Sequence, residues 1–149
     1  MNITLRQAKP SDTPIILSLI KALAQVERLS DRVFATVEEL EKALFERQEA
    51  YVILAELDQH VVGFALYFYN FSTFLGKKGL YMEDLFVLEE ARNKGIGKAL
   101  FQQCIHIAKT EGCGRMEWSV LDWNEPSIEF YIKQGAQPMQ DWTVYRLEF

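Results

Sequence analysis

Between residues 88 and 100 the chain reads LEEARNKGIGKAL. Gly95 and Gly97 sit among Arg92, Asn93, Lys94 and Lys98, with an apolar run before them and a helix-patterned stretch after them. Glycines at such a junction let main-chain N–H groups close on an anion at the start of a helix, and the cations add charge at the same point. Spacing separates the phosphate loops that use this device. A Walker A loop needs glycine where Arg92 stands and a hydroxyl where Ala99 stands, and a dinucleotide fingerprint needs a third glycine in place of Leu100. What remains is Arg92-x-x-Gly95-x-Gly97, a candidate phosphate cradle. For the glycines alone, a turn with a solvated basic face is the plainer reading.

Glu83 and Asp84 interrupt the apolar run LYMEDLFVL. Carboxylates within a buried strand are costly unless they are paired or used. Adjacent strand positions project to opposite faces, so one of the two reaches a reacting group; salt bridges account for them equally well. Tyr131, in EPSIEFYIKQG, offers a phenol as acid, although taken singly it reads as a core aromatic beside Ile128 and Phe130. Asn124 and Ser127 precede and enter the same segment, where either serves as a helix cap. His60, His106, Cys104 and Cys113 show neither metal-ligand nor triad spacing, so no metal is expected, and the thiols suit a reducing compartment.

These residues need elements to position them. NITLR alternates as a strand. SDTPIILSLIKALAQVER is an amphipathic helix with Ser11 as cap, and TVEELEKALFER opens a second helix with Thr36 and Glu39 at capping-box spacing. AYVILAEL, DQH and VVGFALYFYNF form a hairpin, and LYMEDLFVL suits a central strand. GKALFQQCIHIAKTEG is a helix stopped by Gly112. RMEWSVL is a strand, EPSIEFYIKQG a short helix, and WTVYRLEF a last strand. The expected class is α/β (α+β), a mixed sheet with helices on its faces.

With 149 residues, one domain over 1–149 is expected. A net charge of −5 argues against nucleic acid as the main partner, since counterion release needs many clustered cations. No segment approaches the roughly twenty apolar residues of a membrane span, and the N-terminus has no apolar leader core, so a cytoplasmic protein without a membrane partner is expected.

Arg92-x-x-Gly95-x-Gly97 directly after YMEDLFV, with NEPSIEFYIKQGA one strand later, resembles the GNAT acetyltransferase superfamily. LIKALAQVERLSD, VVGFALYFYNFSTFLGK and VLDWNEPSIEFYIKQGA resemble its diamine acetyltransferases, the group of spermidine/spermine acetyltransferase and its thialysine-acetylating relatives. The resemblance implies a mostly antiparallel sheet whose strands splay at an acetyl-CoA site, with no metal. It places the diphosphate on Arg92, Asn93, Lys94, Gly95, Ile96, Gly97 and Lys98. The pantetheine arm falls along the main chain of Leu85, Phe86 and Val87, where the strand is expected to bulge, and against Asn124, Glu125, Pro126 and Ser127. Glu83 draws the proton from the acceptor amine through water, Tyr131 is the acid that protonates the leaving thiolate, and Asp84 is structural or lines a neighbouring subunit's pocket. Glu27, otherwise a solvated helix-end carboxylate, joins Glu83 and Asp84 in holding a cationic acceptor. A homodimer is implied. Polyamine-acting members carry Asp-Pro-Trp where this chain has Ser72-Thr73-Phe74, which favours thialysine or a short diamine over spermine. The competing readings are a protein lysine or N-terminal acetyltransferase and a non-catalytic acyl-CoA sensor.

Overall fold

The computed structural model describes residues 2–149, which fall into two compact units, the first ending at Trp118 and the second running from Ser119 to Phe149. In the first unit the strands β1 (Ile3–Gln7), β2 (Tyr51–Leu57), β3 (His60–Ser72), β4 (Lys77–Val87) and β5 (Arg115–Glu117) form one sheet in chain order. The first four pair antiparallel, and β5 joins β4 in parallel. The parallel step is where the chain crosses over through helix α3 (Ile96–Thr110).

Helix α1 (Thr13–Val26) follows a single 3₁₀ turn, Pro10–Asp12. That turn absorbs the expected cap Ser11 and puts Asp12 at the junction instead. The Asp12 carboxylate accepts from Arg6 Nη1 and Nη2 at 2.8 and 3.0 Å and from the Lys9 amide at 2.8 Å. The Arg6 contact, chiefly, holds this carboxyl below its usual range. The root of α1 is thereby fixed to β1. Helix α2 (Val37–Glu41) begins as read, with Thr36 Oγ1 accepting from the Glu39 amide at 3.2 Å, then widens into a π-helical turn, Lys42–Glu46.

One sheet face receives α1 and the π-turn, where Ile16, Leu19 and Leu44 close on Val52, Leu54, Phe64 and Phe86. Helix α3 packs against β3 and β4, burying Leu100, Phe101, Cys104 and Ala108. It ends as the sequence predicts: Gly112 adopts φ 75°, and Gly112 and Cys113 donate to the carbonyls of Lys109 and Ala108, a paired closure of the last turn.

The second unit holds helix α4 (Glu125–Lys133), closed by Gly135 at φ 93°. The expected strand WTVYRLEF is not formed among the described residues, and the expected strand RMEWSVL is cut to Arg115–Glu117. Alternating apolar residues license a strand only where a ladder partner is present.

Candidate active site

The cradle is built from the end of β4 to the start of α3. Chain direction changes at Asn93 (φ 63°) and Gly95 (φ 82°), both left-handed, and Gly95 is the N-cap of α3. Asparagine and glycine are the residues that enter this region at least cost. No side chain caps the helix, and its first main-chain bond is Ala99 N to Gly95 O at 3.0 Å. The amides of Ile96, Gly97 and Lys98 therefore precede the intrahelical ladder and stand as donors at the positive end of a 15-residue helix. At Gly97 an added Cβ would come within 3.8 Å of Val87 Cγ2, ordinary contact, so this glycine leaves the approach low without being sterically obligatory.

The cations around the loop have local partners as well. Arg92 Nε donates to the Val87 carbonyl at 3.0 Å, and its guanidinium lies 5.6 Å from the Phe86 ring centroid. Lys94 Nζ donates to the Glu90 carbonyl at 3.3 Å. The sequence assigned Arg92 to phosphate alone; it also straps the loop to the strand.

Beside the loop, β4 opens. β5 pairs with β4 over Gly79–Tyr81 only, so from Met82 to Val87 the strand has a ladder on its β3 side alone. Such an edge leaves main-chain donors and acceptors available to an extended ligand. Leu85, Phe86 and Val87 keep regular register with Ala65, Phe64 and Gly63, which corrects the expected bulge at those three. The bulge lies earlier: pairing passes from Leu66↔Asp84 to Tyr67↔Met82, leaving Glu83 as the extra residue. Simple alternation of Glu83 against Asp84 therefore does not apply. Phe86 is buried in the core, so any ligand contact it makes is through its main chain.

Glu27 follows α1 directly. Burial, then the charges of Glu83 and Glu27, push the Asp84 carboxyl up to about 7. Burial, then Glu83, raises that of Glu27. Among the described residues none of the three makes an ion pair. They form a group of three neighbouring carboxylates.

Gly63 is a site residue that the sequence reading passed over. A Cβ there would meet the Phe86 carbonyl oxygen at 2.8 Å, so glycine lets β3 approach the working end of β4. A glycine inside an apolar strand was the available signal.

In the second unit, Asn124 is a cap: its Oδ1 accepts from the Ser127 amide at 3.4 Å, with Glu125 and Pro126 in the first turn of α4. Tyr131 is half-buried on α4, its ring 5.4 Å from that of Phe130 at 67°. The first unit thus brings together Glu27, Glu83 and Asp84, and separately the residues Arg92 to Lys98; α4 carries Asn124 to Ser127 and Tyr131. Among the described residues no group of three or more His, Cys, Asp or Glu is placed to hold a metal ion. No helix among them is long and apolar enough to cross a membrane. A cavity of about 170 Å³ lies away from the loop, between the start of β2 and the π-turn, lined in part by Gln7, Phe45 and Tyr51.

Residues 18–136, which include the open strand, the loop and α4, match the Acetyltransferase (GNAT) family. The chain belongs to that family. It is an acetyltransferase by that membership. Thialysine N-epsilon-acetyltransferase of Bos taurus is 34% identical, covering 98% of this chain and 92% of its own length. An L-ornithine N5-acetyltransferase of Arabidopsis thaliana is 33% identical over 96% of this chain and 83% of its own length. An integron cassette protein from V. cholerae superposes with a TM-score of 0.83 at 28% identity, covering 100% of this chain and 94% of that one. An aminoglycoside acetyltransferase from a soil metagenome shares the fold, with a TM-score of 0.82 at 21% identity over 98% of this chain and 97% of its own.

Proposed function

We propose that this GNAT member moves the acetyl group of acetyl-CoA to a primary amine of a small cationic acceptor, of thialysine or diamine type, by direct attack in a ternary complex. The observation that carries the reading is the group Glu27, Glu83 and Asp84, three carboxylates with no ion pair among the described residues, beside the open length of β4. An ammonium entering there supplies the missing counter-charge, and a second ammonium on the same molecule finds a second carboxylate. The names of the relatives, which act on thialysine and on L-ornithine, support the same class.

In this reading the roles are those that the family resemblance implies. The amides at the start of α3 hold the diphosphate with Arg92, Lys94 and Lys98 around it. The arm of the cofactor runs along the free edge of β4, where a main-chain amide of Leu85 to Val87 stabilises the oxyanion as the tetrahedral intermediate forms. The carboxylates of β4 receive the proton of the ammonium. Tyr131 protonates the departing thiolate, and Asn124 to Ser127 support the arm. The Ser72-Thr73-Phe74 hairpin, where Ser72 Oγ accepts from the Leu75 amide at 3.2 Å and Phe74 is fully exposed, carries no carboxylate for a long polyamine. We extend the proposal to one domain over 1–149, working as a homodimer in the cytoplasm; this part rests on family resemblance.

The test is thiol release from acetyl-CoA with thialysine, lysine, putrescine, spermidine and a histone-like peptide. Thialysine and the short diamine are expected to stimulate release and the peptide is not. Stimulation by the peptide alone would favour a protein acetyltransferase, and acetyl-CoA binding without release by any amine would favour a sensor.

A further inference from the structure

Helices α1, α3 and α4 end in the same paired closure. At α1 the amides of Arg28 and Leu29 donate to the carbonyls of Gln25 and Ala24 at 3.1 and 2.8 Å. At α3 Gly112 and Cys113 donate to Lys109 and Ala108, and at α4 Gly135 and Ala136 donate to Ile132 and Tyr131. Each closure turns on one left-handed residue, and the three stand at φ 62°, 75° and 93°. Glycine fills that place at α3 and α4. Arginine fills it at α1, although any residue with a Cβ enters this region at a cost that glycine avoids. A cation suits the negative end of a helix, but a lysine or arginine within the last turn gains that without a left-handed backbone. What distinguishes the end of α1 is its neighbourhood. Glu27, the residue before Arg28, is half-buried, and it lies near enough to the bulge of β4 for Glu83 to raise its carboxyl and for it to raise that of Asp84. Arg28 is exposed. The closure thus fixes the backbone of one arginine directly beside the group of three carboxylates.

We propose that Arg28 selects the acceptor, its guanidinium taking the α-carboxylate of a diamino acid whose far amine is acetylated. The inference rests on the acetyl-transfer reading above and narrows its substrate class, from small cationic amines in general to those that also carry a carboxylate. A diamine or a polyamine offers only ammonium groups, and Arg28 repels them. A basic amino acid differs at one end. Its α-ammonium and α-carboxylate share one carbon, so it presents opposite charges side by side, as Glu27 and Arg28 do on adjacent residues. A planar guanidinium donates two parallel N–H bonds to a carboxylate, which fixes the orientation of that end as well as its charge. With the α-carbon held at the end of α1, the rest of the molecule carries its terminal amine towards Glu83 and Asp84. Three carboxylates alone attract any polycation. One arginine at their edge turns attraction into discrimination, because it favours one class and penalises the other.

The experiment measures kcat and KM with acetyl-CoA for acceptors paired by their carboxylate: ornithine with putrescine, lysine with cadaverine, and thialysine with its methyl ester. The enzymes are the wild type, Arg28→Gly, Arg28→Lys and, from the 3₁₀ turn Ser30–Arg32 that follows, Arg32→Gln. Glycine is the substitution of choice because it keeps the closure, so the urea midpoint of Arg28→Gly is expected at or above that of the wild type. The wild type is expected to favour the carboxylate-bearing member of each pair. In Arg28→Gly that preference falls by about thirtyfold, the scale of a hydrogen-bonded charge pair, with KM for the amino acid rising and KM for the diamine falling as the repelling cation is lost. Arg28→Lys restores part of the preference, and Arg32→Gln keeps it. A wild type that uses both members of each pair equally overturns the selection, as does an Arg28→Gly enzyme in which KM rises alike for both, or a preference lost in Arg32→Gln and kept in Arg28→Gly. A midpoint below the wild type in Arg28→Gly would assign the arginine to the helix end and overturn it too. A wild type that acetylates none of the six compounds overturns instead the acetyl-transfer reading, before any variant is made.

Discussion

Arg92 Nε donates to the carbonyl oxygen of Val87 at 3.0 Å, so the first residue of the glycine loop is tied to the last residue of the open strand. In the proposed function, one side chain thus joins the loop that would bind the diphosphate to the strand that would lie beside the thioester. Arg92→Ala is expected to weaken acetyl-CoA binding by about tenfold, or roughly 1.4 kcal/mol, the scale of one charge-assisted hydrogen bond. Arg92→Lys keeps the charge and loses the planar fork, so it restores only part of the affinity. Calorimetric titration with CoA measures both, and full recovery in the lysine variant would show that charge alone matters.

Gly63 makes a different demand on the same strand end. With a Cβ 2.8 Å from the Phe86 carbonyl oxygen, Gly63→Ala forces main chain against main chain, and no side-chain rotamer relieves it. The expected cost is about 1–3 kcal/mol in urea unfolding, as for other overpacked positions. Because the displaced strand carries Leu85 to Val87, KM for acetyl-CoA is expected to rise as well. An unchanged midpoint would mean that the sheet yields there without cost.

Asp84 couples stability to pH. Its carboxyl, near 3.8 in an unfolded chain, lies at about 7 in the fold, so the folded state binds more protons between those values. Stability from this residue is fully present below about pH 4 and is lost as the pH rises through 7. Asp84→Asn is therefore expected to flatten the melting temperature profile across that window and to leave the protein more stable than wild type at pH 8. A wild-type profile that instead rises steadily from pH 4 to 8 by the amount that Asp84→Asn removes would reverse the sign.

The loop and the helices were legible in the sequence because their signals are local. The two-glycine spacing located the start of α3, Thr36 with Glu39 marked the start of α2, and Gly112 marked the end of α3. The bulge was not legible, since nothing in YMEDLFV says which residue the neighbouring strand will skip; that depends on the register of β3 against β4. For the same reason Glu83 and Asp84 could be named but their placement could not. The fate of WTVYRLEF was hidden in a related way. Its alternation specifies a face, and only a partner strand turns that into a ladder.

Tyr131 and Asn124 share α4, and substitution separates what each does. Asn124 accepts from the Ser127 amide at the head of the helix, so Asn124→Ala is expected to cost about 1 kcal/mol of stability through the lost cap. Any effect on turnover then follows from a loosened helix, and lowering the temperature recovers it. Tyr131→Phe removes one hydroxyl and keeps the ring that lies 5.4 Å from Phe130, so the packing of α4 is retained. Turnover is nevertheless expected to fall by roughly a hundredfold, the usual weight of an acid–base group, while CoA binding persists. The deficit should shrink when the acyl donor has a more acidic thiol, because a better leaving group needs less help from a proton. A Tyr131→Phe enzyme that matches wild type with acetyl-CoA, or that loses equally with every thioester, would place the thiolate's proton source elsewhere.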